Sequence, residues 1–174
     1  MKKIMVLFIV VLIYLAYPWI SPVSAKESVV QTSAQIKKQI YEPDYREIRL
    51  KLFLKSHRSP MVAVSGYLVD MADKYELDYR LIPAIAGVES SFGRAMPPNS
   101  YNAYGWNNGK FYFISWEEGV EVVARTLKEK YLNKGRDNVY EIAPMYCPSS
   151  STWAGKVLSF MEEIDRLTIL QICP

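Results

Sequence analysis

The sequence predicts a mainly α-helical domain carrying one short extended flap over a groove. Apolar residues recur at helical spacing over several separate stretches, and serine, aspartate and proline stand where those stretches begin. One stretch, from Arg94 to Trp116, has no helical period and is dense in aromatic and turn residues instead.

The chain opens on an export-type segment, residues 1–25. Lys2 and Lys3 precede an apolar run from Ile4 to Leu15. Ser21-Pro-Val-Ser-Ala25 then places Val23 and Ala25 at the two positions a signal peptidase reads. Uncleaved, the run from Ile4 to Ile20 would be an anchor at the short edge of what spans a bilayer, interrupted by Pro18. Both readings put the rest of the chain outside the cytoplasm, secreted, cell-wall associated or periplasmic, with a membrane involved only through this segment. Residues 26–43 are polar and read as a tether ending at Pro43. Residues 44–174 form the domain.

Within it, Asp44 caps a short helix with Tyr45, Ile48 and Leu52 on one side. Ser59-Pro60 is a cap followed by proline at the first helical position. Met61, Val64, Leu68, Met71, Ala72 and Tyr75 carry that helix to about Glu76. Asp78 precedes the next one, whose regular part begins nearer Pro83 after a turn. From Leu81 to Val88 this helix is apolar nearly all round, which predicts burial, and Gly93 ends it. Asn107-Asn108-Gly109 before Lys110-Phe-Tyr-Phe-Ile114 predicts a turn into a short strand. Ser115 and Glu118 form a capping box for a helix to about Leu132, striped by Val120, Val123, Ala124 and Leu127. Asp137 caps a short helix to about Met145. Ser151 or Thr152 starts the last one, with Trp153, Val157, Phe160, Met161 and Ile164.

Charge excludes one class of function. The whole chain carries +3, and loss of Lys2 and Lys3 with the leader brings it close to neutral, so nothing supports nucleic-acid binding. Cys147 and Cys173 are the only cysteines. In an exported protein they can pair, closing a loop of about 25 residues worth roughly 3 kcal/mol; the other reading is two free thiols. A zinc site is not expected, since only His57 could join them and the spacing fits no ligand pattern. No cofactor is called for, and a monomer is expected.

Glu89 is the residue with the clearest chemistry. It follows Ile82, Ile85 and Ala86 on one helix face, at the C-terminal end of a buried helix. Desolvation and the negative end of the helix dipole both disfavour its charged form, which suits a general acid. The plain alternative is an exposed last-turn glutamate. The aromatic flap is the second feature: Phe92, Tyr101, Tyr104, Trp106, Phe111, Tyr112, Phe113 and Trp116. Flat rings with polar tips suit sugar faces, and Asn102, Asn107 and Asn108 suit hydroxyl and amide groups. About half of these rings, Phe113 and Trp116 among them, are expected to be packing. The third feature is an absence. No Asp or Glu occurs between Ser90 and Trp116, so a second carboxylate would have to come from Glu117, Glu118 or Asp137. A single-carboxylate mechanism is favoured. No G-x-S-x-G elbow is present, and Cys147 with His57 makes a poor thiol–imidazole pair.

Ile82-Pro-Ala-Ile-Ala-Gly-Val-Glu-Ser-Ser-Phe-Gly93 resembles the catalytic helix of lysozyme-like lytic transglycosylases and bacterial glucosaminidases. Asn102-Ala-Tyr-Gly-Trp106 is similar to the Asn-x-Phe-Gly segment of the glucosaminidase family, and Tyr146 with Trp153-Ala-Gly-Lys-Val157 resembles its tyrosine and closing helix. The likeness covers roughly residues 60–165. It implies a lysozyme-like fold and cleavage of β-1,4 bonds in peptidoglycan, by hydrolysis or transglycosylation. Glu89 would be the acid and Tyr146 a hydroxyl steadying the charged centre, with Ser90, Asn102, Tyr104, Trp106 and Asn107 on the groove. The sequence departs in having Trp106-Asn107 where many transglycosylases have Met-Gln, and an acid-free, compressed hairpin. A non-catalytic glycan-binding or scaffolding module is the rival reading, motivated by that missing carboxylate.

Overall fold

The computed structural model describes residues 44–167. The expected leader, tether and Cys173 lie outside the described residues. Six α-helices follow one another: α1 Arg46–Ser56, α2 Ser65–Lys74, α3 Leu81–Ser90, α4 Trp116–Lys130, α5 Val139–Tyr146 and α6 Trp153–Arg166. Short 3-10 turns at Pro60–Val64 and Leu132–Lys134 lead into α2 and out of α4. None of these helices is long and apolar enough to cross a membrane.

The local signals explain most boundaries. Ser59 Oγ accepts from Met61 N at 3.0 Å and donates to Phe92 O at 2.8 Å, so one hydroxyl both starts the Pro60 turn and ties it to the end of α3. Asp78 Oδ1 accepts from Arg80 N at 3.0 Å, and Pro83 falls in the first turn of α3, where its missing N–H costs nothing. Ser115 Oγ caps α4 by accepting from Glu118 N, while the Glu118 carboxylate reaches one residue further back than a capping box does, to Ile114 N at 2.6 Å. The cap of α5 is Asn138 rather than Asp137: its Oδ1 accepts from Glu141 N at 3.1 Å.

Two expectations about faces and strands are corrected. The buried face of α1 is Leu50, Phe53 and Leu54, with Ile48 exposed, because this i, i+3, i+4 set is the one that meets α2 and α6. No strand forms among the described residues, and Lys110–Ile114 is irregular. Ser91, Phe92, Gly93, Asn99, Tyr101, Gly105, Asn107, Asn108 and Gly109 all have positive φ, which no extended run tolerates. The loop therefore closes on itself. Phe113 N donates to Ser100 O, and Asn102 supplies the bonds a ladder would have made.

α3 is the central element. It is buried from Leu81 to Gly87 and packs most extensively on α6, with α2 and α4 on its other sides. It stops at Ser90, before the expected Gly93. Ser91 takes the left-handed conformation, and Ser91 N and Phe92 N turn back onto the Gly87 and Ala86 carbonyls. Two consecutive non-glycine residues at positive φ cost of order 1 kcal/mol each. Phe92 offsets that by burying its ring among Phe53, His57 and Phe160. Gly93 serves a different need: a Cβ there would stand 2.7 Å from the Trp116 ring.

Candidate active site

The strained turn after Ser90 and the coiled loop 94–114 together leave the Glu89 carboxyl at the edge of the core. Glu89 is half-buried. Its Oε1 accepts from the indole N–H of Trp153 at 2.7 Å, from the first residue of α6. Trp153 is fully buried and stacks on Tyr146, with ring centroids 4.9 Å apart. Across from Glu89 stands Gly105 at φ +65°, and a Cβ there would lie 3.2 Å from Glu89 Oε2. Glycine is needed twice over at this position, for its backbone angle and for the approach of the carboxyl.

Two clefts flank the Gly105–Asn108 turn, and both residues line each of them. The first, about 340 Å³, is lined by Glu89, Ser90, Asn102 and the Ala95–Pro97 backbone stretch. The second, about 300 Å³, is lined by Tyr104, Trp106, Asn107, Tyr131, Tyr146 and by Thr126 and Lys130 of α4. Glu89 is the one carboxylate lining either cleft. Asp137, a second-carboxylate candidate, lines an apolar cavity beneath α5 and α6 instead, and Glu118 is spent as a cap. A larger cavity of about 470 Å³ at the end of α5 holds Tyr140, Cys147 and Ser149–Ser151 but no acid.

The residues expected to bind ligand divide by what their polar atoms already do. Ser90 is buried: its hydroxyl lies 2.7 Å from Ala103 O and 3.1 Å from Ala86 O, and it accepts from Gly93 N at 2.8 Å. Asn102 is buried too. Its amide donates to Trp106 O and Phe111 O and accepts from Trp106 N at 2.8 Å. Both hold the loop in place and have little left for a ligand. Tyr104 and Tyr146 are the opposite case, since their buried hydroxyls meet no partner among the described residues. Burial pushes both hydroxyls well above the usual tyrosine value, and the Glu89 charge adds to the effect at Tyr146. They stay neutral, and each keeps an unspent donor. Trp106 is half-buried and Asn107 exposed on the turn.

Sequence reasoning missed Trp153 as the partner of Glu89, and missed Tyr131, Thr126 and Lys130 as cleft residues. The signal for Trp153 was there: a buried indole N–H needs an acceptor, and Glu89 is the acid of the apolar helix. Of the flap aromatics, Phe92, Tyr104 and Phe113 are buried, while Phe111 and Tyr112 are exposed. His57 lies against Phe53 and Phe92 and pairs with Glu163 at 2.9 Å, which accounts for it without a thiol. No group of metal-ligating side chains assembles among the described residues. Cys147 caps the end of α5, half-buried, and its expected partner Cys173 lies outside them.

Compared with models of protein families and with curated proteins, the chain matches none.

Proposed function

We propose that this protein cleaves β-1,4 glycosidic bonds of bacterial cell-wall peptidoglycan outside the cytoplasm, with Glu89 as general acid. The observation that carries the reading is a lone carboxyl on the wall of the first cleft, with a buried indole on one oxygen and its other oxygen facing Gly105, which lines both clefts. Unspent tyrosine donors, an indole face and carboxamides on the turn suit a glycan strand. A lysozyme-like fold is part of the proposal, supported by the helical architecture and the resemblance around Glu89.

In the reaction, Glu89 gives its proton to the bridging oxygen as the C1–O bond breaks. Charge develops at C1 and the ring oxygen, and the Tyr146 hydroxyl steadies it. With no second carboxylate lining the clefts, the substrate's N-acetyl oxygen shields C1 until a substrate hydroxyl closes on it or a water attacks it, the new C1–O bond forming as that O–H loses its proton. Glu89 takes up the proton released at that step. Ring closure onto a hydroxyl leaves an anhydro end, whereas water leaves a reducing end.

Incubation with purified wall should release soluble fragments, and Glu89→Gln should reduce release by at least about a thousandfold. Equal release by the two proteins would refute the assignment. Mass spectrometry of the ends decides between hydrolysis and transglycosylation. The rival reading, a glycan-binding module without catalysis, is favoured by the missing second carboxylate. It predicts wall binding lost in Trp106→Ala and no fragments from the wild type.

A further inference from the structure

We infer that Trp153 is the positioning residue for Glu89: its indole N–H decides which carboxyl oxygen carries the acidic proton, leaving that proton on Oε2 at the cleft. The inference rests on the proposed function and goes one atom further.

A protonated carboxyl has one oxygen that donates and one that only accepts, and the carbonyl oxygen is the better acceptor. An indole N–H only donates. Trp153 Nε1 stands 2.7 Å from Glu89 Oε1, so Oε1 is the acceptor and the proton falls to Oε2. Trp153 is Glu89's one hydrogen-bond partner among the described residues, so nothing in the site offsets this preference. The donor cannot follow a rotating carboxyl. Its ring is fully buried at the start of α6 and stacked on Tyr146 at an interplanar angle of 27°. Oε2 in turn lies over Gly105, where the missing side chain leaves bare backbone and where both clefts meet. A glycosidic oxygen arriving over Gly105 thus meets the protonated oxygen, and without the indole either oxygen could hold the proton. This also gives the Tyr146–Trp153 stack a purpose. Tyr146 holds the indole plane that holds the carboxyl.

Two measurements on the full chain test it. In a 15N–1H spectrum, the Trp153 indole resonance, assigned by elimination with Trp19→Phe, Trp106→Phe and Trp116→Phe, should move upfield in Glu89→Ala while the other indoles stay. An unmoved resonance overturns the inference, and this arm needs no activity and no change at Trp153. In turnover of wall fragments, Trp153→Phe keeps a ring on Tyr146 but removes the donor. Its kcat should fall about tenfold to a hundredfold with KM unchanged, the size of effect expected when a reacting group loses its aim. Unchanged kcat, or a rise in KM alone, overturns the inference. If Trp153→Phe does not fold, the spectrum decides. Full activity in Glu89→Gln sinks the proposed function itself, even where the indole contact is seen. An inactive Glu89→Gln beside a fully active Trp153→Phe sinks only the proton placement.

Discussion

Tyr146 and Asn102 show how differently two polar side chains can serve one loop. Asn102 makes three hydrogen bonds to backbone, and its amide is part of the scaffold. Tyr146 makes none with its hydroxyl, although that oxygen is buried. A buried unpaired donor costs stability, and removing it is neutral or favourable. Tyr146→Phe should therefore leave the melting temperature unchanged or slightly raised while turnover falls by about a hundredfold, the usual loss for a donor aimed at developing charge. A variant that melts lower and turns over normally would make the hydroxyl structural. In the sequence Asn102 was legible as a carboxamide of the flap, and Tyr146 only through the resemblance. Which was spent and which was left over was not, because that depends on where the loop's own carbonyls end up.

At the scale of an element, α3 owes its ending to a glycine inside it. A Cβ on Gly87 would stand 2.5 Å from the Phe92 ring and 3.0 Å from Phe160. Gly87→Ala gains about 1 kcal/mol of helix propensity. It should nevertheless destabilise the protein by about 1–3 kcal/mol through overpacking, read by denaturant unfolding, and lower activity through the turn that follows Glu89. The apolar run Leu81–Val88 predicted a buried helix, and the caps at Ser59 and Ser115 were readable as such. The failed strand at Lys110–Ile114 has the opposite lesson. Its residues suit a strand, but the turns before it leave no partner strand to pair with.

α1 and α2 are joined at the surface by Arg46, which meets Asp44 and Asp73 at 2.6 Å. Hydrogen bonds from Arg46 come first among the causes that hold both carboxyls below their ordinary 3.8. At Asp78, burial works against ionisation, and the hydrogen bonds from Arg80 outweigh it. Carboxyls held low in the fold contribute stability above their ordinary value and lose it as pH falls through the folded-state value. Melting temperature should thus drop as pH goes from about 5 to below 3. Arg46→Ala should flatten part of that drop while costing at most about 1 kcal/mol at neutral pH, since the pair is exposed. An equally steep acid slope in the variant would remove these pairs from the account.

For the whole molecule, the expected Cys147–Cys173 link becomes a question of reach. Cys147 and the start of α6 line one cavity, and α6 has 14 residues, so its far end is about 21 Å away. The six residues from Thr168 to Cys173 span about 20–22 Å when fully extended. A bridge would need all of that length laid back along α6. With it, reductant should lower the melting temperature of the full chain by about 10 °C. An unchanged melting curve means the thiols are separate.

The sequence by itself determined the helical class, the buried helix bearing Glu89 and the aromatic, acid-free character of the loop facing it. These follow from apolar period, caps and the absence of Asp and Glu, which are local properties of the chain. Only the tertiary structure decided that Trp153, 64 residues on, holds one Glu89 oxygen, that Gly105 bares the other, and that α4 supplies the far wall of the second cleft. Those pairings depend on how α3 and α6 cross and how the loop folds over them. No spacing along the chain encodes that, since the distances are set by packing.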